Sequence, residues 1–108
     1  MDATTRVKLL LQLLQEKPQD AFLLYALALE YKQMGDGQTA RDYFVRLKHL
    51  HPDYLGLYYH LGNLYQQMGM VEEARHTYRE GISRCTPSDE RTRQELIQAL
   101  NQLEEETE

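Results

Sequence analysis

A lone cysteine closes no internal disulfide and anchors no thiolate zinc site, and Cys85 is the only one in this chain. Nothing points to an oxidising compartment, so a reducing cytoplasm is the expected location. Three prolines and six glycines in 108 residues are too few for a collagen-like or linker-like chain. Long apolar runs are missing as well. The stretch from Val7 to Leu14 is the best candidate, but Lys8 and Gln12 interrupt it, well short of the roughly 18 residues that span a bilayer. No small-residue cleavage site follows it, which excludes a secretory signal of the usual form. Neither membrane nor targeting segment is expected.

What remains is the composition of an ordinary globular domain, 42% hydrophobic and 27% charged. At this length about two-thirds of the unfolded surface is buried on folding, enough for one modest core. The formal charge of −5 is unevenly placed. Residues 1–20 carry three acids and three bases, residues 21–54 four of each, and residues 55–88 three of each. The last twenty residues hold seven acids against Arg91 and Arg93, so the whole deficit lies at the C-terminal end. That end reads as a solvated helix terminus, with an acidic interaction tail as the alternative. No basic stripe exists to neutralise phosphates, so nucleic acid is not an expected partner.

A shift of 34 residues lays 21–54 on 55–88 without a gap, with nine identities. Leu23 falls on Leu57, Tyr25 on Tyr59, Leu27 on Leu61, Tyr31 on Tyr65, Gln33-Met34-Gly35 on Gln67-Met68-Gly69, and Ala40-Arg41 on Ala74-Arg75. Ala28 over Gly62 and Phe44 over Tyr78 preserve size. Each repeat reads as two helices. Leu24, Leu27, Ala28 and Tyr31, like Tyr58, Leu61, Gly62 and Tyr65, recur at the spacing of a half-buried helix and are expected in the core. Gly35 and Gly69 stand where a left-handed residue ends a helix. Ala40, Phe44 and Leu47, then Ala74, Tyr78 and Gly81, form the stripe of the second helix. Small residues at 28, 62, 40 and 74 allow two helices to approach closely. Asp20 and Asp53, after Pro18 and Pro52, are the expected N-caps.

The flanks extend the pattern. Pro18 lies 34 residues before Pro52, which puts Leu10 and Leu13 in register with Phe44 and Leu47 and makes 3–17 a half repeat, with Arg6 in the slot of Ala40. After Thr86-Pro87-Ser88-Asp89, Leu96, Leu100 and Leu103 mark a last amphipathic helix over 89–106. Its polar outer side suits the terminal cap of a stack whose repeats cannot bury their faces alone.

These residues resemble the tetratricopeptide repeat (TPR) family. Tyr58, Leu61-Gly62, Tyr65, Ala74 and Tyr78 fit its pattern in one repeat, and Leu24, Leu27-Ala28, Tyr31, Ala40, Phe44 and Pro52 in the other. The usual Trp is missing, Leu47 is larger than the usual small residue, and the second Pro is displaced to Pro87. The resemblance implies an all-α fold, an α-solenoid of antiparallel helix pairs winding as a right-handed superhelix of about six helices: half repeat 3–17, repeats 21–54 and 55–88, and cap 89–106.

It also implies a protein-binding groove on the concave side, lined by the first helix of each pair. Those faces carry Phe22, Tyr25, Leu29, Lys32 and Gln33 on one helix and Gly56, Tyr59, Asn63, Gln66 and Gln67 on the other. Tyr25 and Tyr59 are repeat-equivalent rings with a polar tip, suited to a peptide wall or to partial burial. Lys32 and Arg91 are available to a partner's carboxylate. Some family members clamp the C-terminal carboxylate of heat-shock chaperones with Lys, Asn, Asn, Lys and Arg. Only Asn63 matches, with Tyr25 and Leu29 in two of those slots, so that activity is not expected.

Catalysis finds little support. The four histidines read as surface or helix-end residues, since His49 and His51 leave a helix on different sides. Gly35-Asp36-Gly37 lacks the third Gly and the Lys of a phosphate loop. The expectation is a non-enzymatic module with no metal and no cofactor, a scaffold or adaptor binding a peptide or helix of another protein. Self-assembly through Phe22, Leu29 or the first helix, as a weak homodimer, is the rival. A regulatory domain of a longer polypeptide is less expected, given the starting Met and the complete cap.

Overall fold

The computed structural model describes residues 1–108 as six α-helices without a strand. In order these are α1 (Ala3–Glu16), α2 (Ala21–Gln33), α3 (Gly37–Leu50), α4 (Gly56–Gln67), α5 (Val71–Arg84) and α6 (Glu90–Glu106), with a 3₁₀ turn at Pro87–Asp89 before the last. Two compact units divide between Tyr54 and Leu55.

In the first unit α1 packs on α2 and α2 on α3. Asp20 caps α2, its Oδ1 accepting from the Leu23 N–H at 3.0 Å, and Asp36 caps α3 through the Thr39 N–H at 3.2 Å. The turn between them is set by Gly35 at φ +83°. There the Asp36 N–H reaches the Tyr31 carbonyl and the Gly35 N–H the Lys32 carbonyl, a Schellman closure open to glycine at no Cβ cost. Gly69 at φ +76° repeats it, with Met70 bonded to Tyr65 and Gly69 to Gln66. Leu23, Leu24, Leu27 and Ala28 are buried on α2, and Ala40, Phe44 and Leu47 on α3.

Three details differ from expectation. Tyr31 and Tyr65 are only half-buried. Tyr31 stacks flat on Tyr43 at 5.8 Å, which covers one ring face. On α1 the covered residues are Val7 and Leu14, two turns apart, while Leu10 is half-covered and Leu13 is 41% exposed. The face that α1 turns to α2 is rotated from the one the repeat register assigns. Arg6, in the slot of a small residue, cannot be buried there and reaches Glu30 on α2, Nε to Oε1 2.8 Å. Finally, Asp53 does not cap α4. The Tyr54 N–H bonds back to the His51 carbonyl, α4 starts only at Gly56, and its cap position is Leu55, without a side-chain bond.

The second unit holds α4, α5 and α6, with α5 against both α4 and α6. Its core is a reciprocal arrangement of rings and glycines. Tyr78 of α5 lies over Gly62 of α4, where a Cβ would come 2.6 Å from Cδ1 of the ring. Tyr58 of α4 lies over Gly81 of α5, where a Cβ would come 2.6 Å from the tyrosine Cβ and 3.0 Å from Leu96 Cδ1. Both tyrosines are fully buried. A capping box between Thr86 and Asp89 starts the last segment, and α6 buries Leu96 and Leu103. Arg75 ties α5 to Glu104 of α6 at 2.6 Å.

Candidate functional site

Core packing decides which side of α4 remains available. With Leu57, Tyr58, Leu61, Gly62 and Leu64 turned inward, Tyr59, Asn63, Gln66 and Gln67 are left on one flank. Facing them from α6 are Glu95, Gln98, Ala99, Gln102 and Glu106, a stripe beside the apolar one of Leu96 and Leu103. Together they line a cavity of about 590 Å³.

The Tyr78 hydroxyl fixes two of those side chains. It lies 2.6 Å from Asn63 Oδ1 and also bonds the Gln66 carboxamide. A phenol has one proton, so it donates to one carboxamide oxygen and accepts from the N–H₂ of the other. Burial, with the nearby Tyr59 and Glu106 as lesser causes, pushes the phenol up to about 12, and it stays a neutral donor across the physiological range. Asn63 and Gln66 are thereby held in place while their remaining polar edges are offered to the cavity.

Tyr59, its residue 38% exposed, stands at the cavity with its ring edge-on to His60. Tyr25, its repeat equivalent, has a different environment. It is half-buried against Phe44, at 6.5 Å, and Tyr54, at 5.0 Å, and burial raises its phenol pKa. Phe22 is 65% exposed, Gln33 is exposed, and Leu29 and Lys32 are half-buried. Burial lowers the Lys32 ammonium, a cation that a carboxylate would stabilise. Arg91 does not line the cavity. Its side chain is 94% exposed and its Nε lies 3.6 Å from Glu95.

Of the expected site residues, Tyr59, Asn63, Gln66 and Gln67 therefore come together. The wall from α6 was missed because its polar side reads as a solvated cap. The available signal was the recurrence of Glu95, Gln98, Ala99 and Gln102 at helical spacing. His76 also stands one turn from Glu80, Nε2 4.0 Å from Oε1. No three His, Cys, Asp or Glu side chains gather as a metal site would need.

Residues 20–54 and 55–85 each match a family model described as tetratricopeptide repeat. The crystal structure of a tetratricopeptide repeat domain protein from Salinibacter ruber is 35% identical. It covers 79% of this chain and 96% of its own, at a TM-score of 0.72. The chain belongs to the tetratricopeptide repeat family. Two further TPR-like folds superpose over nearly all of it. The Yersinia enterocolitica type III secretion chaperone SycD, in complex with a peptide of the translocator YopD, has a TM-score of 0.88 at 14% identity, covering 98% of this chain and 82% of its own. PcrH, in complex with the chaperone binding region of PopD, has a TM-score of 0.90 at 13% identity, covering 98% and 81%. At such identities these two share the fold. Comparison with curated proteins gives no match. No helix of this TPR chain is long and apolar enough to cross a membrane.

Proposed function

We propose that this TPR chain is a non-enzymatic protein-interaction module, a cytoplasmic scaffold or adaptor that binds a peptide or helix of a partner along the first helices of its pairs. The observation that carries the reading is the cavity between α4 and α6, whose Asn63 and Gln66 are anchored from below by a buried phenol. Prearranged polar groups lose little freedom on binding, which favours recognition over random contact. The SycD and PcrH complexes, with a peptide and a chaperone binding region respectively, support a peptide as the kind of ligand. On α4, Tyr59 supplies ring surface and Asn63, Gln66 and Gln67 supply hydrogen bonds. On α2, Phe22, Tyr25 and Leu29 supply apolar surface and Gln33 a polar contact, with Lys32 and the outlying Arg91 available to carboxylates.

Selection of a random displayed peptide library on the full chain tests this. Binders are expected to lose about thirtyfold in affinity on Tyr59→Ala, the effect of one interface aromatic, while the melting curve is unchanged. Peptides that bind the variant equally would move the site off α4. Self-assembly is the second reading, favoured by Leu9 and Leu13 exposed one turn apart on α1 and by the exposed Phe22. Sedimentation of a monomer throughout a concentration series would exclude it.

A further inference from the structure

The cavity between α4 and α6 has a charge of one sign. Glu95 and Glu106 are its only ionisable carboxylates, and no Lys or Arg lines it. The neighbouring bases do not neutralise it. Arg75 and Arg79 are both drawn to Glu104, at 2.6 and 3.6 Å. Arg91 meets Glu95 only as an exposed pair at 3.6 Å, the kind that contributes little. Glu106 has no ion-pair partner.

Five of the other lining residues, Asn63, Gln66, Gln67, Gln98 and Gln102, are carboxamides. A carboxamide presents an acceptor oxygen beside N–H donors, the complement of a peptide unit, so such a wall can hold an extended backbone whatever its side chains. Selection among side chains is left to the two carboxylates. They are eleven residues apart on α6, which at 1.5 Å per residue separates them by roughly 16 Å, too far for one cation to serve both. An extended chain advances about 3.3 Å per residue and returns to the same side every second residue. Two basic residues four positions apart stand on one side about 13 Å from each other, and the reach of their long side chains covers the remaining few ångströms to the two acids.

We infer that the cavity binds an extended partner segment carrying two arginines or lysines four residues apart, one directed to Glu95 and the other to Glu106. This rests on the peptide-binding reading above and adds the charge and spacing of the ligand. Arg91, paired with Glu95 at 3.6 Å, competes with such a side chain for that carboxylate.

The test titrates the full chain with three capped heptapeptides of sequence GRASARG, GEASAEG and GARRSAG, followed by fluorescence anisotropy. GRASARG is expected to bind, with GEASAEG at least about tenfold weaker and GARRSAG intermediate. Glu95→Gln and Glu106→Gln should each weaken GRASARG several-fold, Arg91→Ala should tighten it, and added salt should weaken it. All of these are surface changes, and unaltered melting would confirm that the fold is kept. Glu106→Lys should narrow or reverse the preference for GRASARG over GEASAEG. Equal binding of GEASAEG, or binding of GRASARG indifferent to Glu95→Gln, would overturn the inference, the latter pointing to general attraction by the C-terminal acids. Were the displayed library to return Tyr59-dependent peptides without basic pairs, the charge assignment would fall and the peptide-binding reading would stand. With no Tyr59-dependent peptide at all, the cavity would lose both its charge assignment and its place as the peptide site.

Discussion

Tyr78 occupies two environments at once, its ring in the core over Gly62 and its hydroxyl beneath the cavity between Asn63 and Gln66. A buried phenol that keeps its proton to about 12 makes folding sensitive to alkali. In the unfolded chain the group ionises near 10, so its contribution is complete below that pH and is lost as pH rises through the folded value. An ultraviolet titration should show a tyrosine ionising late, and Tyr78→Phe should remove that step. The variant should also lower stability by about 0.5–1.5 kcal/mol, the net worth of a hydrogen bond, read from the denaturation midpoint. At this scale the repeat register is a partial guide. It places Tyr59, Asn63, Gln66 and Gln67 on one flank of α4, and there they line the cavity. It also equates Tyr25 with Tyr59, and there the environments diverge, because Tyr54 packs on Tyr25 whereas the residue equivalent to Tyr54 is Ser88, which has no ring. Equivalent positions share a backbone but not their neighbours.

Helix pairs satisfy their interiors differently in the two repeats. The first has Leu24 and Leu47 where the second has Tyr58 and Gly81, all fully or nearly fully buried. A larger ring on one helix is matched by the loss of a side chain on the other. Gly81→Leu, which installs the first repeat's residue, should therefore cost about 1–3 kcal/mol by overpacking against Tyr58. Adding Tyr58→Leu should recover part of that loss, and chemical denaturation of the two single variants and the double variant would measure the coupling, expected at about 0.5–3 kcal/mol. Additive effects would mean that the ring and the glycine are not a pair. Helix ends were readable where one residue type decides them, as at Gly35, Gly69 and Asp20. They were not readable at Asp53, because the extra turn through Tyr54 depends on a backbone bond to His51 that no side chain announces. For α1 the period predicted a helix but not its rotation, since Arg6 must stay near water and Glu30 happens to be within reach.

At the scale of the molecule, α6 is both the last layer of the second unit and one wall of its cavity. Deleting residues 90–108 removes Leu96 and Leu103, each fully or almost fully buried, and uncovers the side of α5 at Gly81. Burial of a leucine contributes about 1.5–3 kcal/mol, so the truncated chain should melt lower and associate, as calorimetry and light scattering would show. An unchanged monomer would mean that α6 does not act as a cap. The matched tyrosines and glycines of the second unit also bear on how such a chain can be lengthened by gene duplication. An exchange that joined a first helix of one repeat to a second helix of the other would set Tyr58 against a leucine or Leu24 against a glycine, one a collision and the other a void. Only crossovers in the loops between pairs, near Pro52–Leu55, carry each size-matched couple intact. Recombination here is constrained to copy helices two at a time.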